Sequence, residues 1–189
     1  VSSLGQDLAD GELLQLSNVS NHSFSETVYF DVIRKKTAAL FAACTEAAAY
    51  SVGVSEEEVK LARLLGEYIG ICFQIKDDIF DYFDSKEIGK PTGNDMLEGK
   101  LTLPVLYALN RANDNQAAEI ALKVKEGTAT LAEIARLIAF TKENGGIEYA
   151  VRTMNAYKQK AFGLLASLPD SAICVALRSY LDYVVDREK

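Results

Sequence analysis

The chain has 189 residues, 49% of them hydrophobic, with 27 acidic against 20 basic side chains and a formal charge of -7. That is enough for one sizeable core with no compositional mark of a second domain, and an acidic chain without a basic stripe argues against nucleic acid as a partner. The three cysteines, Cys44, Cys72 and Cys174, are odd in number and widely spaced in apolar helical surroundings, which gives no support to a disulfide framework or a zinc site and predicts reduced core residues of a cytoplasmic protein.

Helical periodicity and caps account for nearly the whole chain, and no run alternates as a half-buried strand should, so the sequence predicts an all-α protein. In chain order, helices are expected over residues 2–17, 25–53, 55–83, 102–113, 115–126, 130–144, 146–168 and 170–186. No signal-peptide pattern opens the chain, and its first residue, Val1, is compatible with a start inside a longer gene product. The second helix holds the most membrane-like stretch, AALFAACTEAAAYSVGV from Ala38 to Val54. It is short for a span and carries Glu46 in its middle, so it reads as a buried helix whose alanines let neighbours approach. Ser55 with Glu58 forms a capping box, and Thr130 with Glu133 repeats it. Gly53, Gly145 and Gly146 read as helix stops, and Pro104 and Pro169 as first turns or breaks. Only Asp84 to Lys100 lacks a helical pattern, and it carries Gly89, Gly93, Gly99 and Pro91. A long loop of this kind, directly after an acid cluster, favours function.

The acid cluster is DDIFD. On a helix Asp77 and Asp81 share a face, with Asp78 turned about 100° to the flank. Two carboxylates so spaced suit Mg²⁺, which prefers one or two of them plus substrate phosphates, and Lys90 and Lys100 supply point charges for phosphate oxygens, with Asp95 between them. A lone DDxxD is equally consistent with a solvated helix end. The apolar face through Ile69, Phe73, Ile75 and Phe80, however, predicts that at least one acid faces inward or into a cleft. An EF-hand fails, because counting from Asp77 or Asp81 puts Ile79 or Phe83 where a ligand must stand. The single histidine, His22, reads as a solvated loop residue, which argues against His-dependent zinc or triad chemistry.

GICFQIKDDIFDYF followed by GKPTGNDMLEGKLTLP resembles the second aspartate-rich region of trans-isoprenyl diphosphate synthases, whose pattern is FQxxDDxxD, GKxxGxD, then GKxTLP. GELLQL at Gly11–Leu16, KTAALF at Lys36–Phe41 and the ending LDYVVDREK are similar to further family motifs, so the resemblance covers essentially the whole chain. It implies an isoprenoid-synthase-type helical bundle. It also implies Mg²⁺ at Asp77, Asp78 and Asp81, with Asp77 the most direct ligand, and allylic diphosphate at Lys36, Lys90 and Lys100. Thr37 and Gln74 would flank the bond that ionises, and Phe73 would lie near the homoallylic substrate, isopentenyl diphosphate. Glu12 and Gln15 would take the polar positions of a helix facing the cavity.

The implied activity is prenyl transfer from an allylic diphosphate to isopentenyl diphosphate by a homodimer. ADGELLQL looks more like the long-chain octaprenyl-type synthases than farnesyl ones. The resemblance further implies that residues 1–189 are the C-terminal part of one synthase domain, without the first aspartate-rich motif, and inactive alone. Other readings stay open at this level. A non-catalytic subunit of a heteromeric synthase is disfavoured by the complete second motif, and a terpene cyclase by the GKxxGxD…GKxTLP continuation. Alone, Lys36–Thr37, Phe73 and Gln74 are ordinary helix residues, and a plain helical interaction bundle needs none of this chemistry.

Overall fold

The computed structural model describes residues 2–19, 23–83, 92–168 and 171–188. Among these the regular structure is helical, with no strand. In order come α1 (Ser2–Val19), α2 (Glu26–Ile33), a π-helical turn (Arg34–Ala38), α3 (Ala39–Ser51), α4 (Glu56–Phe80), α5 (Asn94–Leu97), α6 (Leu103–Ala112), α7 (Asn115–Lys125), α8 (Leu131–Glu143), α9 (Gly146–Ala166) and α10 (Ala172–Asp186). No helix of the described residues is long and apolar enough to cross a membrane.

The residues group into two compact units, one of Val1–Glu12, Asp31–Lys76 and Thr153–Glu188, the other of Leu13–Phe30 and Asp77–Arg152. In the first unit α4 buries Leu65, Ile69, Cys72 and Ile75, and α9 and α10 bury Met154, Leu165, Leu181 and Val184. Cys72 is pushed up to about 12 by burial and is an inert core thiol. The close approach of α4 to the π turn depends on glycine, since a Cβ on Gly70 would stand 2.6 Å from the Ala38 Cα. Ala38 admits this neighbour as the alanine-rich composition predicts, but the helix that follows is not the buried one expected, since α3 buries only Ala39 and Ala42. In the second unit α6 and α7 both pack on α8, and Leu103, Leu106, Ile120, Val124, Ile134 and Leu137 of these helices are buried.

Both capping boxes form. Ser55 Oγ accepts from Glu58 N at 3.3 Å while Glu58 Oε2 accepts from Ser55 N at 2.9 Å, and Thr130 and Glu133 repeat the exchange at 3.3 and 2.8 Å. Thr130→Ala is expected to cost about 1 kcal/mol of stability. Equilibrium urea unfolding measures it, and a loss below about 0.3 kcal/mol would mean that the cap contributes nothing.

Three expectations need correction. Cys44 is exposed, whereas Cys72 and Cys174 are buried, because α3 buries only the narrow stripe of Ala39 and Ala42 and Cys44 lies off it. Gly145, at φ 74°, is the stop after α8, and Gly146 opens α9 instead of ending a helix. The glycine-rich stretch is helical over Asn94–Leu97, one turn being too short to leave a periodic pattern. Pro169, Lys90, Gly89, Pro91 and His22 lie outside the described residues.

Candidate active site

In the first unit the chemistry-bearing residues gather at the π turn. RKKTA departs from α-helical bonding, with the Ala39 N–H reaching back to the Arg34 carbonyl. Such turns sacrifice regular helix geometry and recur at functional sites. This one carries Lys36 and Thr37. Thr37 Oγ1 donates to Gln74 Oε1 on α4 at 2.8 Å, joining two residues far apart in sequence. Lys36 Nζ lies 2.7 Å from the Glu12 carboxylate of α1, both side chains being more than a third exposed, so the pair is weak and easily exchanged for another anion.

Phe73, half-buried on α4, has its ring 5.5 Å from that of Phe41. The Arg187 guanidinium sits 4.3 Å from the Phe73 ring centroid and donates to the Phe73 carbonyl at 3.2 Å. Arg187 has no assigned role in the sequence reading, since a cation–π contact across the chain leaves no local pattern.

In the second unit the three acids of DDIFD occupy different environments. Asp78 is buried, 3% exposed, and accepts a hydrogen bond from Tyr29 Oη at 2.6 Å. The inward-facing acid that the apolar face of α4 predicts is therefore Asp78. Burial first, and then the Asp78 charge, hold the Tyr29 hydroxyl well above its usual pKa, so it stays protonated and donates. Asp81 fastens a turn: its Oδ1 accepts from Asn94 N at 2.9 Å, its Oδ2 from Asp95 N at 3.1 Å, and its carbonyl from Gly93 N at 2.9 Å. Asp77 is half-buried. Lys100 donates its backbone N–H to the Asp95 carbonyl at 2.8 Å and pairs its ammonium with Glu98. Tyr29 escaped the sequence reading, because its partner lies far along the chain.

Asp95 is the acid most perturbed. Burial, then repulsion from Asp81, push its carboxyl up to about 6, against the opposing pull of Lys100. A carboxyl raised on folding binds its proton more tightly in the folded state, so stability falls as pH rises from about 4 to about 6 and stays lower above. Asp95→Asn is therefore expected to stabilise the chain at pH 7.5 by on the order of 2 kcal/mol, about 4–8 °C in Tm, and to change nothing at pH 4. Thermal scans at the two pH values check this, and an equal shift at both would sink it.

Among the described residues no group of three or more His, Cys, Asp or Glu side chains is arranged to close on a metal ion. Mg²⁺ takes one or two carboxylates and completes its shell with phosphate oxygens and water. Asp77, at the end of the helix, can supply such a carboxylate, while Asp78 is engaged by Tyr29 and both Asp81 oxygens accept from backbone amides.

Among the described residues, all-helical regular structure with a DDxxD helix end, a lysine-bearing turn tied back to it and a Lys-Thr pair bonded to a helix glutamine is consistent with the family that the sequence resembles. The chain belongs to the polyprenyl synthetase family, whose model matches residues 1–141. It is 38% identical over 181 residues to the octaprenyl diphosphate synthase of Haemophilus influenzae, covering 95% of this chain and 55% of that protein. It superposes on the crystal structure of a geranylgeranyl pyrophosphate synthase from Bacteroides thetaiotaomicron with a TM-score of 0.95 at 81% identity, covering 98% of this chain and 62% of that one. A polyprenyl synthase from Caulobacter crescentus, solved with calcium and isoprenyl diphosphate, matches with a TM-score of 0.88 at 34% identity, over 98% of this chain and 57% of that one.

The chain spans about half the length of the curated relatives it matches, 55% of the Haemophilus protein. The expected fold and family are borne out. The names of the relatives run from geranylgeranyl through heptaprenyl and octaprenyl to decaprenyl products, so the ADGELLQL wording does not single out a chain length.

Proposed function

We propose that this chain carries the allylic-diphosphate side of a Mg²⁺-dependent trans-prenyltransferase, which joins isopentenyl diphosphate to an allylic diphosphate and releases diphosphate. The observation that carries the reading is the 2.8 Å hydrogen bond between Thr37 and Gln74. The family resemblance assigns both to the same ionising bond, and the hydrogen bond between them supports that reading.

In this reading, which the family resemblance supplies, Lys36, Lys90 and Lys100 would neutralise charge growing on the departing diphosphate, with Asp77 as the principal cation ligand. When bound, Mg²⁺ supplies Lewis-acid neutralisation at the diphosphate oxygens. Lys36 exchanges Glu12 for the substrate anion. With its proton engaged by Gln74, Thr37 Oγ1 keeps lone pairs available to stabilise positive charge developing on the allylic carbon. Phe73 contributes its ring near the isopentenyl substrate, with Arg187 already against that ring. The proton lost in condensation goes to the released diphosphate. The proposal includes the family's homodimer, for which α3, with Leu40 and Tyr50 exposed, is a candidate surface, and a cytoplasmic location.

Calorimetric titration of farnesyl diphosphate into the chain, with and without Mg²⁺, tests the reading. Binding only with Mg²⁺ is expected. Equal binding without it would overturn the metal assignment, and no binding in either condition would overturn the allylic half-site.

A further inference from the structure

We infer that Asp81 is a positioning residue for the lysine-bearing turn, acting through backbone amides to place Lys100, and is not the cation ligand that its rank in DDxxD implies. The inference rests on the proposed diphosphate site and assigns a different task to one of its acids. Both Asp81 oxygens accept from consecutive backbone N–H groups, those of Asn94 and Asp95, at 2.9 and 3.1 Å, and its carbonyl accepts from Gly93 N at 2.9 Å. Hydrogen bonds to a carboxylate are the stronger kind, and a pair on adjacent amides fixes orientation as well as distance.

The turn needs that hold. α5 is four residues long, and its N-cap, Gly93 at φ 80°, has no side chain with which to cap it. A single helical turn does not stand alone, and its first amides have no partner within the helix. Asp81 supplies those partners from 13 and 14 residues upstream. The bonds continue, since the Asp95 carbonyl accepts from Lys100 N at 2.8 Å. One covalent step and two hydrogen bonds thus connect the Asp81 carboxylate to the backbone of the lysine. Two of the acids of DDIFD thus have distinct tasks: Asp78 is held by Tyr29, and Asp81 holds the turn.

The test has two readouts on Asp81→Ala, Asp81→Asn and Asp77→Ala. Hydrogen exchange on the metal-free chain is expected to show Asn94 and Asp95 amide protection falling by roughly 10-fold to 100-fold in Asp81→Ala, the size of a charge-assisted hydrogen bond. The loss should be smaller in Asp81→Asn, which keeps one acceptor, and absent in Asp77→Ala. Unchanged protection in Asp81→Ala would overturn the inference.

The second readout is calorimetric binding of farnesyl diphosphate over a Mg²⁺ series. Asp81→Ala is expected to weaken binding about 10-fold at saturating Mg²⁺ without moving the Mg²⁺ midpoint, and Lys100→Ala added to it should weaken binding little further. A midpoint moved as far as by Asp77→Ala, or fully additive losses, would return Asp81 to the role of ligand. If Asp77→Ala leaves binding and midpoint untouched while the exchange result holds, the proposed function fails and the positioning role of Asp81 stands.

Discussion

Asp77→Ala is expected to lower the Mg²⁺-dependent affinity for farnesyl diphosphate by at least ~100-fold, beyond the 10-fold to 100-fold typical of losing a group that only supports a ligand. Of the three acids, Asp78 is buried and engaged by Tyr29, and Asp81 has both oxygens on backbone amides. Removing Asp77, the cation ligand of the proposed site, leaves the Asp81 bonds to the turn in place. The charge of Asp77 is also among those that raise the pKa of Asp95, so its loss relieves a repulsion. The variant is expected to be at least as stable as the parent at pH 7.5, and thermal scans run beside the titrations separate lost binding from lost folding. A parent-like affinity in a folded Asp77→Ala variant would sink the assignment.

How much of this was legible in sequence follows the range of the interactions. Helices, caps and the acid helix are read within a few residues, and Ser55–Glu58 and Thr130–Glu133 form as written. Motif order carried further, because GKxTLP after DDxxD marks a family and not merely a charge pattern. Local patterns could not show that the same five letters, DDIFD, hold three environments. The hydroxyl that engages Asp78 comes from Tyr29, and the amides that engage Asp81 come from 13 and 14 residues further along the chain. The π turn was equally hidden, since RKKTA has no composition distinct from an ordinary helix. Cys44 was misread for a related reason: an alanine-rich helix is apolar all round, and which stripe it buries depends on what packs there.

Gly70→Ala is expected to destabilise the chain by roughly 2 kcal/mol, about 4–8 °C in Tm, and to weaken the proposed farnesyl diphosphate binding with it. In an ordinary helix interior the same change is stabilising by about 1 kcal/mol. Here the new Cβ would stand 2.6 Å from the Ala38 Cα and 3.0 Å from its Cβ, where carbon atoms settle about 3.5–4.0 Å apart, so α4 and the π turn must part by roughly 1 Å. Neither obstacle is a flexible side-chain tip. Ala38 is the neighbour of Thr37, and Gly70 lies one helical turn before Gln74. The separation therefore draws on the 2.8 Å bond between Thr37 and Gln74, and a displacement of that size takes it past hydrogen-bonding range. Gly163→Ala on α9 is the control, because a Cβ there meets nothing within 4 Å, and it should gain about 0.5–1 kcal/mol. Urea unfolding of the two variants, with farnesyl diphosphate binding measured beside it, decides the matter. If Gly70→Ala proves as stable as Gly163→Ala, the spacing of α4 from the π turn is slack, and the alignment of Thr37 with Gln74 must be held by something other than the glycine.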